Sequence, residues 1–336
     1  MFEVVFLGTS AAAPSIHRGL SSLAVLAGEA RFLVDCGEGT QRQILRSGIG
    51  YKRLNRVLLT HAHLDHILGL GGLVSSFMRW EEIDNLEIYG GRSALDRIDA
   101  LLTQVVFRNE VQPTRIKLYE LAPGPILASD AFQVNAFPVT HRGAGNFGFI
   151  FQQHSHFPFL VEKAVALGVP AGPQRGQLVK GMTVTLDDGR VITPEMVLGD
   201  EIPGAKLVVV GDTGRTDNLR QHAAGADALV IEATFLESEA QEARAFGHLT
   251  AKQSAQLALD CGVRTLLLNH LSRRYRERDI VEEARSIFPN TYVVRDFDHF
   301  EIRRGEGAFK KTAPVTLVDN PDELPAEEES SLPQDH

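Results

Sequence analysis

What most limits the fold open to this chain is a rhythm of short apolar, β-branched runs broken by Gly-rich turns. Ten such runs, each of four to eight residues, lie at 2–7, 32–35, 56–60, 86–89, 132–139, 147–151, 207–210, 229–234, 266–269 and 292–295. Between them, over 40–47, 93–102, 250–260 and 280–287, apolar residues recur at spacings of three and four, the period of a helix with one buried face. In the last third the order is strand, helix, strand, helix, strand, which favours an α/β layered sandwich over an all-α or all-β fold.

With 336 residues the chain is long enough to bury a core without disulfide staples. Its two cysteines, Cys36 and Cys261, are too few for a secreted framework, and the N-terminal stretch lacks the basic and apolar regions of a signal peptide. No apolar run approaches the roughly 20 residues of a membrane span. A soluble protein of the reducing cytoplasm is the expectation. The formal net charge is −9, but seven acids and no Lys or Arg lie within 313–336, and removing them leaves −2 for the rest. We therefore expect one body over 1–312 and an acidic, disordered, solubilising tail over 313–336. The segment 152–203 breaks the rhythm, with Gly and Pro clustered at Gly168, Pro170, Gly172, Pro173, Gly176 and Gly181. It is expected to be a long irregular insert of functional or mobile character.

The densest chemistry is Thr60-His61-Ala62-His63-Leu64-Asp65-His66, directly after the apolar run at 56–59. If the strand continues through His61 and His63, their imidazoles share one face, and a turn brings Asp65 and His66 to a neighbouring position. Imidazole and carboxylate ligands without sulfur suit zinc, with Mn²⁺ or Fe²⁺ as competitors, and supply two adjacent ions. Further ligands are sought at strand ends, where His141, Asp212 and His270 stand. Asp212 is the natural bridge, since its two oxygens can each bind one ion of a close pair.

These residues resemble the ligand set of the metallo-β-lactamase fold hydrolases, and within them the ribonuclease Z type of tRNA 3′-processing endonuclease. Further marks are Phe6-Leu7-Gly8-Thr9-Ser10, Asp35-Cys36-Gly37-Glu38-Gly39-Thr40-Gln41, Gly69-Leu70-Gly71-Gly72-Leu73, Glu232-Ala233-Thr234, Gly247-His248-Leu249-Thr250 and His270-Leu271-Ser272-Arg273-Arg274-Tyr275, in order from about residue 2 to 303. The resemblance implies an αβ/βα sandwich with a protruding arm over about 152–203, two Zn²⁺ per chain, precursor tRNA as substrate and a homodimer. It implies metal ligation by His61, His63, Asp65, His66, His141, Asp212 and His270. Asp65 would orient or deprotonate the attacking water, and His248, held by Glu232, would protonate the leaving oxygen. Gly8, Thr9, Ser10, Ser22 and Ser272 would meet the RNA near the cut. Gly172, Pro173, Arg175 and Lys180 would belong to the arm that grips the tRNA elbow.

The chain departs from the family pattern in four respects, one being an arm only moderately basic, in which Lys163, Arg175 and Lys180 are accompanied by Glu162, Asp187 and Asp188. Leu64 replaces a glycine, Ile231 stands where a histidine is often found, and the loop 14–22 lacks an Arg-Asn pair. The alternative is a hydrolase of the same fold acting on a small phosphodiester or an aryl sulfate ester. The arm separates the two readings, because only a tRNA substrate needs it.

Overall fold

The computed structural model describes residues 1–80, 83–108 and 115–311. The first half supplies β1 (Phe2–Gly8), β2 (Ser22–Ala27), β3 (Ala30–Val34), β4 (Arg56–Leu58), β5 (Asn85–Gly90) and β6 (Arg115–Glu120), followed by β7 (Gly124–Ala128), β8 (Phe132–Pro138) and β9 (Phe147–Gln153). A small hairpin, β10 (Val184–Thr185) and β11 (Val191–Ile192), precedes β12 (Lys206–Val209), β13 (Ala228–Glu232), β14 (Thr265–Asn269), β15 (Thr291–Val293), β16 (His299–Arg303) and β17 (Gly307–Lys310). Two sheets face each other, one ordered β17-β16-β1-β2-β3-β4-β5-β6 and the other β15-β14-β13-β12-β9-β8-β7.

Alternation along the strands builds the layers. In β1, Val4 and Phe6 point between the sheets, where they join Phe32, Phe149 and Phe300, whereas Val5 and Leu7 join Ile44, Leu73 and Phe77 on the helical side. In β13 and β14, Val230 and Leu267 enter the same central core, while Leu229, Ile231, Leu266 and Leu268 pack with Ala255 and Ile280 of the outer helices. Strands buried on both faces read as continuous apolar runs, as these do. The result is helices, sheet, sheet, helices: the αβ/βα sandwich expected from the resemblance. Ile231, wholly buried among the outer helices, fills a core position in place of a polar residue.

Strands β12 to β15 pair in parallel, as do β3 to β6, so in each set the carboxyl ends line one edge. In open α/β sheets that edge is where ligands bind. Several elements carried too little pattern to be expected: β2, β6, β7, the β10–β11 hairpin, β16, β17 and the helix Leu70–Trp80. That helix begins with Gly71 and Gly72 in its first turn, which lowers its intrinsic propensity. Its apolar face is nonetheless anchored by Leu70, Leu73, Val74 and Phe77 in the helical-side core.

Two expectations need correcting. The strand β4 ends at Leu58, so His61 and His63 lie beyond it in irregular chain, and Asp65 and His66 sit on a single helical turn, Leu64–Ile67. The ladder stops because Asp35 receives the next donors, the Thr60 N–H and hydroxyl, both at 2.8 Å. The segment 152–203 is not an irregular loop either. It holds the helices Val161–Ala166, Pro173–Val179 and Pro194–Val197 with the β10–β11 hairpin, around a separate core of Ala164, Val169, Leu178, Val184, Leu186, Ile192 and Val197. Its Gly and Pro residues are punctuation between short elements, as at Pro173 and Pro194, each in the first turn of its helix. The tail expected at 313–336 lies outside the described residues. Among the described residues, no helix is long and apolar enough to cross a membrane.

Candidate metal centre

Five imidazoles and two carboxylates converge at the carboxyl edges of the parallel strands. His61, His63, His141 and Asp212 form one group whose ligand atoms all lie within 4.8 Å of one another, and Asp65, His66 and His270 form a second. Asp212 stands between them. Its Oδ2 faces His61 Nε2 at 3.6 Å and His141 Nε2 at 3.9 Å, while its Oδ1 faces His66 Nε2 at 3.5 Å and His270 Nε2 at 3.3 Å. Asp65 Oδ2 completes the second group, 3.7 Å from His66 Nε2 and 3.5 Å from His270 Nε2.

The residues fit divalent cations on internal grounds. His61 Nε2 and Asp212 Oδ1 are buried without a hydrogen-bond partner, a costly state that a cation would relieve. His141 Nε2 and His63 Nδ1 approach to 3.4 Å, as do His66 Nε2 and His270 Nε2. Such crowding of ring nitrogens suits a shared positive centre. Burial and the neighbouring His66 hold His61 well below its ordinary pKa, and burial with His141 lowers His63. Burial likewise lowers His141, so the first group offers the neutral imidazoles that metal binding needs. In the second group burial disfavours the charge on His66, but Asp212 and Asp35 outweigh it and raise its pKa. Burial also opposes ionisation of Asp212, yet His270, His66 and His61 hold it well below the carboxylate range.

The outer nitrogen of most of these rings is held. His61 Nδ1 lies 3.0 Å from Thr60 Oγ1, His66 Nδ1 2.7 Å from Asp35 Oδ2, His141 Nδ1 2.7 Å from Gly247 O and His270 Nδ1 2.9 Å from Thr234 Oγ1. Asp65 Oδ2 accepts the Ala12 N–H at 3.0 Å. Such contacts fix ring orientation and tautomer. Three of these residues, Ala12 (φ 55°), Asp35 (φ 58°) and His270 (φ 52°), hold left-handed backbone conformations that non-glycine residues rarely adopt. Of the orienting partners, Asp35, Thr234 and Gly247 were visible only inside family motifs, and Ala12 and the role of Thr60 were missed altogether.

His248 stands at the rim of the cluster, with Nδ1 3.0 and 3.1 Å from the two oxygens of Glu232. That carboxylate, at the end of β13, is buried and accepts three more donors: Thr213 N–H at 2.7 Å, Thr234 hydroxyl at 2.5 Å and Leu249 N–H at 3.2 Å. Burial pushes the His248 pKa down, but the Glu232 charge and hydrogen bond outweigh it and lift the pKa to about 9. Just beyond, Thr250 and Gln253 form a reciprocal capping box on the helix Ala251–Asp260, anchoring the loop that carries His248.

Several of the residues expected near the RNA have partners within the protein. Thr9 is buried, donating to Asp296 Oδ1 at 2.7 Å and accepting from Arg18 at 2.6 Å. Ser10 donates to Ala13 O, and Ser22 to Asp35 O, so their hydroxyl protons are engaged within the protein. A Cβ on Gly8 would fall 1.7 Å from Leu20 O, so close backbone approach explains that glycine. Ser272 remains partly exposed, its Oγ accepting the Arg274 N–H at 3.3 Å. In the insert, Gly172, Pro173 and Lys180 are exposed, whereas Arg175 donates to Val169 O at 2.9 Å. Leu64 is 55% exposed beside the cluster.

The profile of a family described as "Anti-Pycsar protein Apyc1" matches residues 2–159. A ribonuclease Z of Bradyrhizobium sp. (strain ORS 278) is 48% identical over 302 residues, 90% of this chain and 100% of that protein. The ribonuclease Z of Methanothermobacter thermautotrophicus is 36% identical over 90% of this chain and 97% of its own length. Among solved structures, human tRNase Z, short form, superposes with a TM-score of 0.63 at 24% identity, covering 90% of this chain and 99% of that one. The metallo-β-lactamase fold protein YhfI of Bacillus subtilis also gives 0.63, at 18% identity over 89% of this chain and 98% of that one. Whole-length identity of this order, on a sandwich whose strand ends gather one His and Asp cluster, places the chain in the ribonuclease Z family of the metallo-β-lactamase fold.

Proposed function

We propose that this chain is a metal-dependent endoribonuclease that hydrolyses a phosphodiester at the 3′ end of precursor tRNA. The observation that carries the reading is the division of Asp212, one oxygen facing His61 and His141 and the other His66 and His270, inside a chain that matches ribonucleases Z along their whole length. Two divalent ions at that centre, zinc for preference given its N and O ligands, would supply an acidified water and neutralise phosphate charge. Asp65, oriented by the Ala12 N–H, would orient or deprotonate the attacking water. His248 presents the nitrogen not held by Glu232 to the leaving oxygen and gives it a proton, a step its raised pKa suits at neutral pH.

The folded lobe at 152–203 acts as the arm that holds the tRNA away from the cut, and a homodimer of the soluble cytoplasmic protein presents it. What supports this is a core separate from the sandwich, with the exposed cations Lys163 and Lys180 on its surface. The test compares a precursor tRNA with bis(p-nitrophenyl) phosphate, using the metal-loaded full chain and a chain with the arm replaced by a short turn. We expect the full chain to prefer the RNA strongly, and arm removal to abolish RNA cleavage while sparing the small ester. A full chain that hydrolyses the ester but leaves RNA intact would instead support the small-substrate alternative.

A further inference from the structure

Glu232 is not confined to its partnership with His248. Two residues on, Thr234 is only 6% exposed, and its single hydroxyl stands between the Glu232–His248 pair and the metal cluster. Thr234 Oγ1 lies 2.5 Å from Glu232 Oε2, 2.9 Å from His270 Nδ1 and 3.0 Å from His270 O. A hydroxyl has one proton and two lone pairs, so these contacts cannot all be donations. His270 turns Nε2 towards Asp65 Oδ2 and Asp212 Oδ1, and that nitrogen can serve a cation only with its lone pair free. The ring proton is then on Nδ1 and is donated to Thr234 Oγ1. The Thr234 proton in turn goes to Glu232, the shorter and charged of its two acceptors.

We propose that Thr234 is a positioning residue that ties the His248–Glu232 pair to His270, so that one buried carboxylate orients both the proton donor and a metal ligand. The contact reaches His270 where its backbone is least able to hold itself, at φ 52° in the left-handed region. Peptide register brings the three groups together: Glu232 ends β13 opposite Asn269 at the end of β14, and the next residues of both strands converge at Thr234 and His270. The inference rests on the metal-centre reading but not on the identity of the RNA.

The test is stepwise metal affinity, measured by competition with a chelating indicator on the full chain, for Thr234→Val, Thr234→Ser, Glu232→Gln and the Thr234→Val/Glu232→Gln pair. Valine keeps the shape and removes the hydroxyl. We expect it to weaken one of the two binding steps by about 10- to 100-fold, as loss of a ligand's orienting partner typically does, and to leave the other within about twofold. Serine should restore the weakened step. The double variant should lose little more than Thr234→Val alone, because both act on His270 through one chain of hydrogen bonds. Two wild-type affinities in Thr234→Val, or equal weakening of both steps with a lower Tm of the metal-free protein, would reduce Thr234 to a packing residue. Fully additive losses in the double variant would break the link to Glu232. None of these outcomes depends on whether the chain cuts tRNA, so failure of the RNA assay leaves the inference separately decided.

Discussion

His248 carries the sharpest consequence at the scale of single residues. It groups with Asp212 and His270, but its Nδ1 is held by Glu232 at 3.0 Å and the other seven residues form two groups without it, so His248→Ala should retain the metal content of the wild type. It should slow RNA cleavage by about 10² to 10⁴ through loss of leaving-group protonation, with a smaller defect on bis(p-nitrophenyl) phosphate, whose leaving group hardly needs a proton. Loss of an ion, or equal slowing of both substrates, would show that His248 ligates or merely supports. The same pair has a signature in the metal-free protein. The folded-state pKa of His248, about 9, is raised above the ordinary 6.5, so its contribution to stability is full below 6.5 and is lost as the pH rises through about 9. Glu232→Gln should therefore lower Tm most below pH 6.5, with the gap from wild type narrowing towards pH 9. A gap independent of pH would contradict the charge pairing. The candidate ligands were legible in the sequence because His and Asp at His61, His63, Asp65 and His66 are rare chemistry packed into six positions. Their orienting partners were not, since a threonine such as Thr234 or a carbonyl such as that of Gly247 has no signature until the fold brings it to a ring nitrogen 36 or 106 residues away in sequence.

Among the elements, the turn Leu64–Ile67 and the helix Leu70–Trp80 show how the cluster is held to the sheet. Cys36 N–H donates to His66 O at 2.7 Å and Gly69 N–H to Cys36 O at 2.9 Å, so the ligand turn is laced directly to the loop after β3 that presents Asp35. That approach demands a glycine at 69, where a Cβ would sit 2.0 Å from Gly37 O. Gly69→Ala should cost about 1–3 kcal/mol through forced backbone movement, read as a lower denaturation midpoint, and should weaken metal binding by shifting His66 from Asp35. An unchanged midpoint would mean that the contact relaxes without strain. Elements with a strong pattern, such as β1, β13, β14 and the helix Ala251–Asp260, could be read to within a residue or two. Edge strands such as β6, with Arg115, Lys117 and Glu120 among its six residues, and β7, interrupted by Pro125, offered no continuous apolar run. The lobe at 152–203 was visible as a break in rhythm, but its core of seven small and aliphatic side chains is spread over two- to seven-residue elements and the connections between them, too short for a period to register.

For the whole molecule, the charge distribution matters more than its sum. Seven acidic side chains lie in residues 313–336. Removing 313–336 should leave metal binding and small-ester hydrolysis intact and tighten RNA binding, because a polyanion no longer meets those charges. Weaker RNA binding and slower turnover would assign the segment a constructive part. We propose one cluster, divided by Asp212, as the seat of the cut on RNA. The most direct measurement follows cleavage of a precursor tRNA as the metal-free chain is titrated with Zn²⁺, counting bound ions per chain alongside, for wild type and Asp212→Ala. A single cut at the 3′ end should reach its plateau at about two ions per chain and be lost with the second ion in Asp212→Ala. Cleavage that persists without bound metal, or RNA left whole at full occupancy, would contradict it.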